Sequence, residues 1–467
     1  MSPSPASPAL LSPALRVALL NVKYSPNLGD GLLAECLERE LAQALGGAAV
    51  HSIDIAGRTG WSAQSTARRG RMLALLEAVP PALRHIAAAT ALTLLSRIVL
   101  RRHVRQGLSG ADAAVIGGGN LLSDADLNFP IKLAAASAEV ARRGLPLAVH
   151  AVGASPHWSA RGRALFARAL SRRRLAHAAV RDERSRQAWA LQLEPAGLPP
   201  AEVVGDPGLL ASLHYFRAPR STTADPDRRV ALCITAPLAL RYHVNQHHGR
   251  NASQAGDLHD EAVIAWYGTL ASALAQQGLH VILFTNGSPE DRTCLARHAH
   301  RWTAEPPAAD WHGGLARKGE QGRVSVAAPF ATPADLAGFV AGCDLVIAHR
   351  MHACIAAHSF AVPTIGLTWD EKLASFFSLA GRARYAVDGP VLPLPTMVKL
   401  VQAALAEGVD RTALAALIAR TRADVGRLGQ RLLAATAIDA PHPSALEPSV
   451  ATATMPAPAE VATPVPA

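Results

Sequence analysis

Along most of the chain, short runs of consecutive apolar residues end in a polar or glycine-rich break and are followed by a stretch of helical length. Unbroken apolar runs of about four to eight residues between turn signals suit strands buried on both faces, and their alternation with helices predicts parallel sheets. In the first half, 16–22, 50–55, 112–116, 146–152, 178–181 and 202–204 read as strands, with helices at 31–45, 160–173 and 183–193. In the second, strands at 230–235, 280–285 and 323–327 alternate with helices at 261–277, 289–300 and 333–342.

The stretch 343–376 organises the second half. A strand at 344–348 breaks at His349-Arg350-Met351-His352, and a helix follows at 353–360. After a Pro363 turn, a strand at 364–368 ends in Trp369-Asp370-Glu371-Lys372. Helices at 396–407 and 411–436 complete the pattern, the last long enough to reach back over the first half. Two similar α/β units result, at 15–213 and 229–437, joined by a polar, proline-containing linker at 214–228. The segments 1–14 and 438–467 are rich in Pro, Ala and Ser without periodicity and are expected to be disordered tails.

Composition narrows the partners. Lys and Arg number 46 against 36 Asp and Glu, a net charge of +10, with arginine clusters at 68–71, 101–105 and 172–174. Only 4% of residues are aromatic, so stacking platforms for single strands are scarce and nucleic acid is not expected. Acidic small molecules or an anionic membrane surface fit better. A basic helix is expected at 82–105; its uncharged core, 86–96, falls far short of the ~20 residues that span a bilayer. It packs in a core or lies on an anionic membrane, with the packed reading preferred. Cys36, Cys233, Cys294, Cys343 and Cys354 are scattered in mostly apolar runs, which fits reduced core thiols. The N-terminus lacks a charged region before its apolar residues, so a cytoplasmic protein is expected, with room for peripheral contact at the inner face of the plasma membrane.

The candidate chemistry falls at carboxyl ends of strands, where helix N-termini favour anions. Arg350 offers a planar fork for phosphate or carboxylate, His352 a proton near neutral pH, and Lys372 a compact second charge. After the first strand, Asn27-Leu28-Gly29-Asp30 has one glycine where a dinucleotide fingerprint needs three, and Asp30 reads equally as an N-cap or as a functional carboxylate. Gly117-Gly118-Gly119-Asn120 forms a strand-end pocket, with Leu122 in place of the third fingerprint glycine. His243, His247 and His248 occur in the polar insertion 237–258 without a carboxylate or cysteine at ligand spacing, so no metal is expected.

Taken together, these segments resemble the polysaccharide pyruvyl transferase family. The resemblance is carried by NLGD at 27–30, GGGNLL at 117–122, VRDERS at 180–185 with GDP at 205–207, TNG at 285–287, HRMH at 349–352 and WDEK at 369–372. It extends over about 16–379 and implies a fold like the type-B glycosyltransferases, two Rossmann-like domains facing a cleft. It also implies transfer of pyruvate from phosphoenolpyruvate onto a sugar diol as a cyclic ketal, on a free or lipid-linked surface saccharide, without a further cofactor.

In that scheme His352 is the acid, Arg350 and Arg181 grip the anion, Lys372 compensates charge, and Asp30 serves the acceptor side. Asn27, Gly118, Gly119, Asn120 and His349 line the substrate. Arg181 has a second reading as a partner of Asp182 or Glu183 at a helix start. His349 and Trp369 depart from the family pattern, which has a small residue and a tyrosine there. A nucleotide-sugar glycosyltransferase of the same architecture and a non-catalytic anion-binding protein are the rival readings.

Overall fold

The computed structural model describes residues 15–61, 96–171, 175–216, 228–237, 239–240, 260–303, 322–368 and 371–439. Its first sheet contains β1 (Arg16–Asn21), β2 (Ala49–Asp54), β3 (Ala113–Gly117), β4 (Leu147–Val152), β5 (Leu175–Val180) and β6 (Glu202–Val203), in spatial order β2-β1-β3-β4-β5-β6. The second contains β7 (Arg229–Cys233), β8 (His280–Phe284), β9 (Val324–Val326), β10 (Leu345–Ala348), β11 (Thr364–Leu367) and β12 (Ala386–Val387), in order β12-β11-β10-β7-β8-β9. Every pairing is parallel. The strands β3, β4 and β10 are buried at every position, which is why they read as unbroken apolar runs.

Helices connect the strands. The first half carries α1 (Leu28–Ala44), α2 (Arg101–Gly107), α3 (Asn128–Arg142), α4 (Ala160–Leu170), α5 (Glu183–Gln192) and the short α6 (Ala211–His214). The second carries α7 (Asp260–Ala275), α8 (Pro289–Trp302), α9 (Pro333–Ala341), α10 (Met351–Ser359), α11 (Glu371–Leu379), α12 (Leu394–Glu407) and α13 (Arg411–Asp439). One core cluster runs from Leu33 and Leu37 on α1, through Leu209 and Leu210, to Ile355 and Ala356 on α10 and Val425 and Leu428 on α13. The two sheets therefore share apolar packing beneath their facing strand ends. A second cluster fills the other face of the first sheet, under α3, α4 and α5.

As its length suggested, α13 crosses back to the first half: Arg422 donates to Glu40 on α1 at 2.8 Å, and Asp424 accepts from the Gly205 N–H at 2.7 Å. Three local readings differ from the sequence expectation. The α3 helix was not anticipated, because Pro130 interrupts its start; the ring sits in the first turn, where no N–H is needed. The first helix begins at Leu28 instead of 31, so Asn27 is its N-cap and Asp30 lies inside the first turn. Likewise α10 begins at Met351, leaving Arg350 as N-cap.

Of the basic helix expected at 82–105, the described part is a π-helical turn, Ser96–Leu100, running into α2. Residues 82–95, the three-histidine insertion, Trp369, Asp370 and both tails up to 14 and from 440 lie outside the described residues. All five cysteines are buried and unbridged.

Candidate anion-binding active site

Each sheet reverses its winding direction once, between β1 and β3 in the first and between β7 and β10 in the second. At such a switch point the following loops diverge and leave a crevice beyond the strand ends. Asn27–Asp30 follow β1, Gly118–Asn120 follow β3, Thr235 follows β7, and His349–His352 follow β10. The motifs therefore converge because of topology, although they are hundreds of residues apart in sequence.

The two switch points touch. The Leu28 N–H donates to the Asn286 carbonyl at 2.8 Å, and the Asn286 amide faces the Asn27 Oδ1 at 3.5 Å. Gly287 has φ of 99°, and a Cβ there would lie 2.5 Å from the Pro26 carbonyl. A Cβ on Gly29 would lie 2.6 Å from the His352 Cβ. The single glycine of the NLGD loop thus has a purpose unrelated to nucleotides: it lets the His352 turn pack against α1.

Asp30 and His352 come from opposite halves and meet at 3.5 Å, Oδ1 to Nδ1. The N-cap reading of Asp30 is incorrect, since Asn27 holds that position; the Asp30 carboxyl instead takes a hydrogen bond from Ser25. Burial pushes Asp30 up to about 6, against the pull of Arg58, Arg350 and Arg181. Burial, with Arg181, Arg350 and Lys372 nearby, pushes His352 down to about 3. At neutral pH the pair is an ionised carboxylate beside a neutral imidazole.

Arg350 is already gripped. Its Nε and one Nη donate to Asp291 Oδ2 at 3.0 and 2.6 Å, and Asp291 is fully buried in the first turn of α8 while also accepting from the Ala236 N–H. The fork expected to grip an anion is thus partly taken: its Nε edge serves Asp291. Burial opposes the charge on Arg350, and Asp291 more than restores it.

His349 is corrected as well. It lies in the interior with Nδ1 3.0 Å from the Tyr267 hydroxyl and its ring edge-on to Tyr267; burial pushes it down to about 3. It lines the core behind β10, away from Asp30 and His352. The departure from the family pattern therefore belongs with Tyr267 in packing.

Arg181 directly follows β5 and is buried, with Nε 3.4 Å from Asp182 and Nη1 3.9 Å from Asp206 Oδ2. Asp182 caps α5 by accepting from the Ser185 N–H, while Glu183 pairs with Arg186. Gly153 makes room: a Cβ there would lie 2.6 Å from an Arg181 Nη and 2.7 Å from the Asn120 Oδ1. Gly118 and Gly119 have φ of 72° and 70°, and the Gly119 carbonyl accepts from the Gly153 N–H at 2.7 Å, so the turn places Asn120 over the end of β4. Lys372, in the first turn of α11, lines a cleft of about 490 Å³ with Arg181, Asp206, Met351, Ile355 and Phe376.

Five buried side-chain atoms around this junction have no hydrogen-bond partner among the described residues: Asn120 Oδ1, Arg181 Nη1, Asp206 Oδ2, Asn286 Oδ1 and His352 Nε2. Buried polar atoms are normally paired, so these five are available to a polar group entering the crevice. Asp291, Asp206, Asn286, Gly29 and Gly153 had no assigned role from sequence. Asp206 and Asn286 sit inside the GDP and TNG motifs, whereas Asp291 carried only the weak signal of an acid after Pro289 at a helix start.

The fold and the site define a two-sheet α/β protein with a crevice at facing switch points where Arg181, Arg350, Asp30 and His352 converge. Within that class the chain belongs to the polysaccharide pyruvyl transferase family, whose model matches residues 27–371. No curated protein matches it in sequence. Among solved structures it is similar to α,α-trehalose 6-phosphate synthase from Burkholderia multivorans, at 11% identity and TM-score 0.48 over 91% of this chain and 98% of that one. It is also similar to the UDP-GlcNAc 2-epimerase of Methanocaldococcus jannaschii, at 10% identity and TM-score 0.47 over 90% and 99%. The ADP-heptose heptosyltransferase II of E. coli gives 11% identity and TM-score 0.39 over 84% and 99%.

Proposed function

We propose that the protein transfers pyruvate from phosphoenolpyruvate onto a vicinal or 1,3-related sugar diol of a surface or exopolysaccharide, or its lipid-linked precursor, as a cyclic ketal. The observation that carries this reading is the Asp30–His352 pair, assembled from both halves beside Arg181, Arg350 and Lys372. Phosphoenolpyruvate brings a phosphate and a carboxylate, and the cations complement both. Burial does most to hold His352 neutral; the charge of the arriving donor offsets the added repulsion from Arg181, Arg350 and Lys372 and favours protonation of the imidazole.

His352 then protonates the methylene carbon, which becomes a methyl group, and positive charge develops at the adjacent carbon. A sugar hydroxyl attacks that carbon while Asp30 accepts its proton. Phosphate leaves, the second hydroxyl closes the ring, and its proton departs with phosphate. Two hydroxyl protons are lost; the balance places one on the methyl carbon and one on phosphate. Arg181 and Arg350 stabilise the anionic groups throughout.

This chemistry fits the cytoplasm, where phosphoenolpyruvate is made. No helix among the described residues is long and apolar enough to cross a membrane. Exposed Ile98 and Val99 adjoin exposed Arg102 and Arg105, a face suited to anionic lipid. Sedimentation with vesicles of anionic against neutral lipid tests that contact, and equal recovery from both would dismiss it. For the reaction, thermal shift with phosphoenolpyruvate and with nucleotide sugars gives the first answer. Stabilisation by phosphoenolpyruvate alone is expected; stabilisation by nucleotide sugars alone would assign the chain to glycosyl transfer.

A further inference from the structure

We infer that Asp424 and Thr421, on the C-terminal helix α13, are positioning residues for the anion site, acting through Gly205 and Asp206 on Arg181. The inference rests on the reading of Arg181 as a donor-binding group. It begins with an exposed weakness of the first sheet. The edge strand β6 has only two residues, and beyond it the chain keeps one bond to the sheet, from the Val204 N–H to the Val180 carbonyl at 2.9 Å. What fixes the next two residues comes from elsewhere.

The buried Gly205 N–H donates to Asp424 Oδ2 at 2.7 Å, across 219 positions of sequence. Asp424 is itself buried, and its other oxygen pairs with Arg427. A Cβ on Gly205 would run into the Thr421 side chain, so the helix meets the loop at backbone distance. Thr421 is fully buried and returns its hydroxyl to the Leu417 carbonyl, which fixes the surface that Gly205 rests on. Asp206 follows directly. Its Oδ1 accepts from the Gly208 N–H at 2.9 Å, and its Oδ2 lies 3.9 Å from Arg181 Nη1.

Those two facing atoms, Asp206 Oδ2 and Arg181 Nη1, are both buried and without a hydrogen-bond partner among the described residues. Asp182 meets the other end of the guanidinium, its Oδ2 a long 3.4 Å from Arg181 Nε. Asp182 thus holds the Nε edge of the guanidinium while Asp206 supplies the negative charge facing Nη1, and α13 fixes where that charge sits. The C-terminal helix therefore stands behind the loop that carries Asp206 and reaches the site through it.

The test measures phosphoenolpyruvate affinity by calorimetry on full-length folded protein, with melting temperature recorded for each variant. Asp424→Ala leaves the Gly205 N–H unpaired and is expected to weaken donor affinity about tenfold or more. Asp424→Asn keeps an acceptor oxygen for Gly205 and should rescue affinity to within about threefold of the parent. Arg420→Ala, on the exposed side of the same helix, should leave affinity unchanged. Should Asp424→Ala fail to fold, Asp424→Glu decides: it keeps the charge but pushes the oxygen by a methylene, and affinity should fall about fivefold or more. A purely structural role would lower the melting temperature of these variants and leave affinity intact, and that outcome overturns the inference. Absence of donor binding by the parent protein instead overturns the reading of Arg181 on which it rests.

Discussion

His349 and His352 stand in one turn, and burial pushes both down to about 3, yet they face different regions of the molecule. His349 looks backward into the core, where the Tyr267 hydroxyl meets it. His352 looks forward to the other half, where it finds Asp30 at 3.5 Å, and its Nε2 has no hydrogen-bond partner among the described residues. One depressed histidine completes packing; the other faces a carboxylate from the opposite half. A shifted titration alone does not distinguish them; the surroundings of each ring do.

The heaviest blow to the forward region should come from behind it. Asp291 neutralises Arg350 inside the protein, so Asp291→Ala leaves a buried guanidinium without its counter-charge and should cost about 3 to 5 kcal/mol of stability. Denaturant titration measures this, and a loss below about 1 kcal/mol would show that Arg350 turns outward to solvent. Next in size, His352→Asn should lower turnover by ~100-fold or more, while phosphoenolpyruvate affinity changes little. His349→Asn should do the reverse: turnover per folded molecule within about threefold of the parent, stability down by about 1 to 3 kcal/mol. Equal kinetic losses in the two variants would erase the distinction.

A smaller effect is expected from pH. His150, His349 and His352 are held near 3 and His358 near 4, chiefly by burial, against an ordinary value of 6.5. The unfolded chain therefore binds those protons first, and stability should fall as pH drops from about 6.5 toward 4. Asp30 works in the opposite sense. Raised from 3.8 to about 6, it takes up its proton while folded and supports the native state over the same window, offsetting one histidine. In kinetics, the same proton removes the base, so kcat/KM should decline below about pH 6, and Asp30→Asn should abolish that limb along with most activity. An unchanged acid limb in Asp30→Asn would assign it to another group.

Much of the forward region was legible in sequence, because buried parallel strands announce themselves as apolar runs and the polar clusters at their ends become neighbours at a switch point. Arg350, His352 and Lys372 were singled out that way, Asp30 only as one of two readings, and Arg181 only through the family resemblance. The partners were not. That Arg350 is shared with Asp291, and that His349 turns into the core, depends on side-chain directions within one short turn, which residue spacing does not encode. Gly29 and Gly153 were invisible for the same reason: each matters through a side chain from a distant segment that occupies the space a Cβ would fill. The α3 helix was hidden by a proline whose position within the first turn, and not its presence, decides its effect.

The role proposed for His352 is to deliver the proton that starts pyruvyl transfer. It is tested most directly by running the reaction in deuterium oxide with phosphoenolpyruvate and an acceptor oligosaccharide, following phosphate release and the product by mass spectrometry. For the parent protein, each ketal should appear with one phosphate, and its methyl group should carry a single deuteron. For His352→Asn, phosphoenolpyruvate should still bind to within about threefold while phosphate release slows ~100-fold or more. Release by His352→Asn at the parent rate, with the deuteron still delivered, would contradict the account.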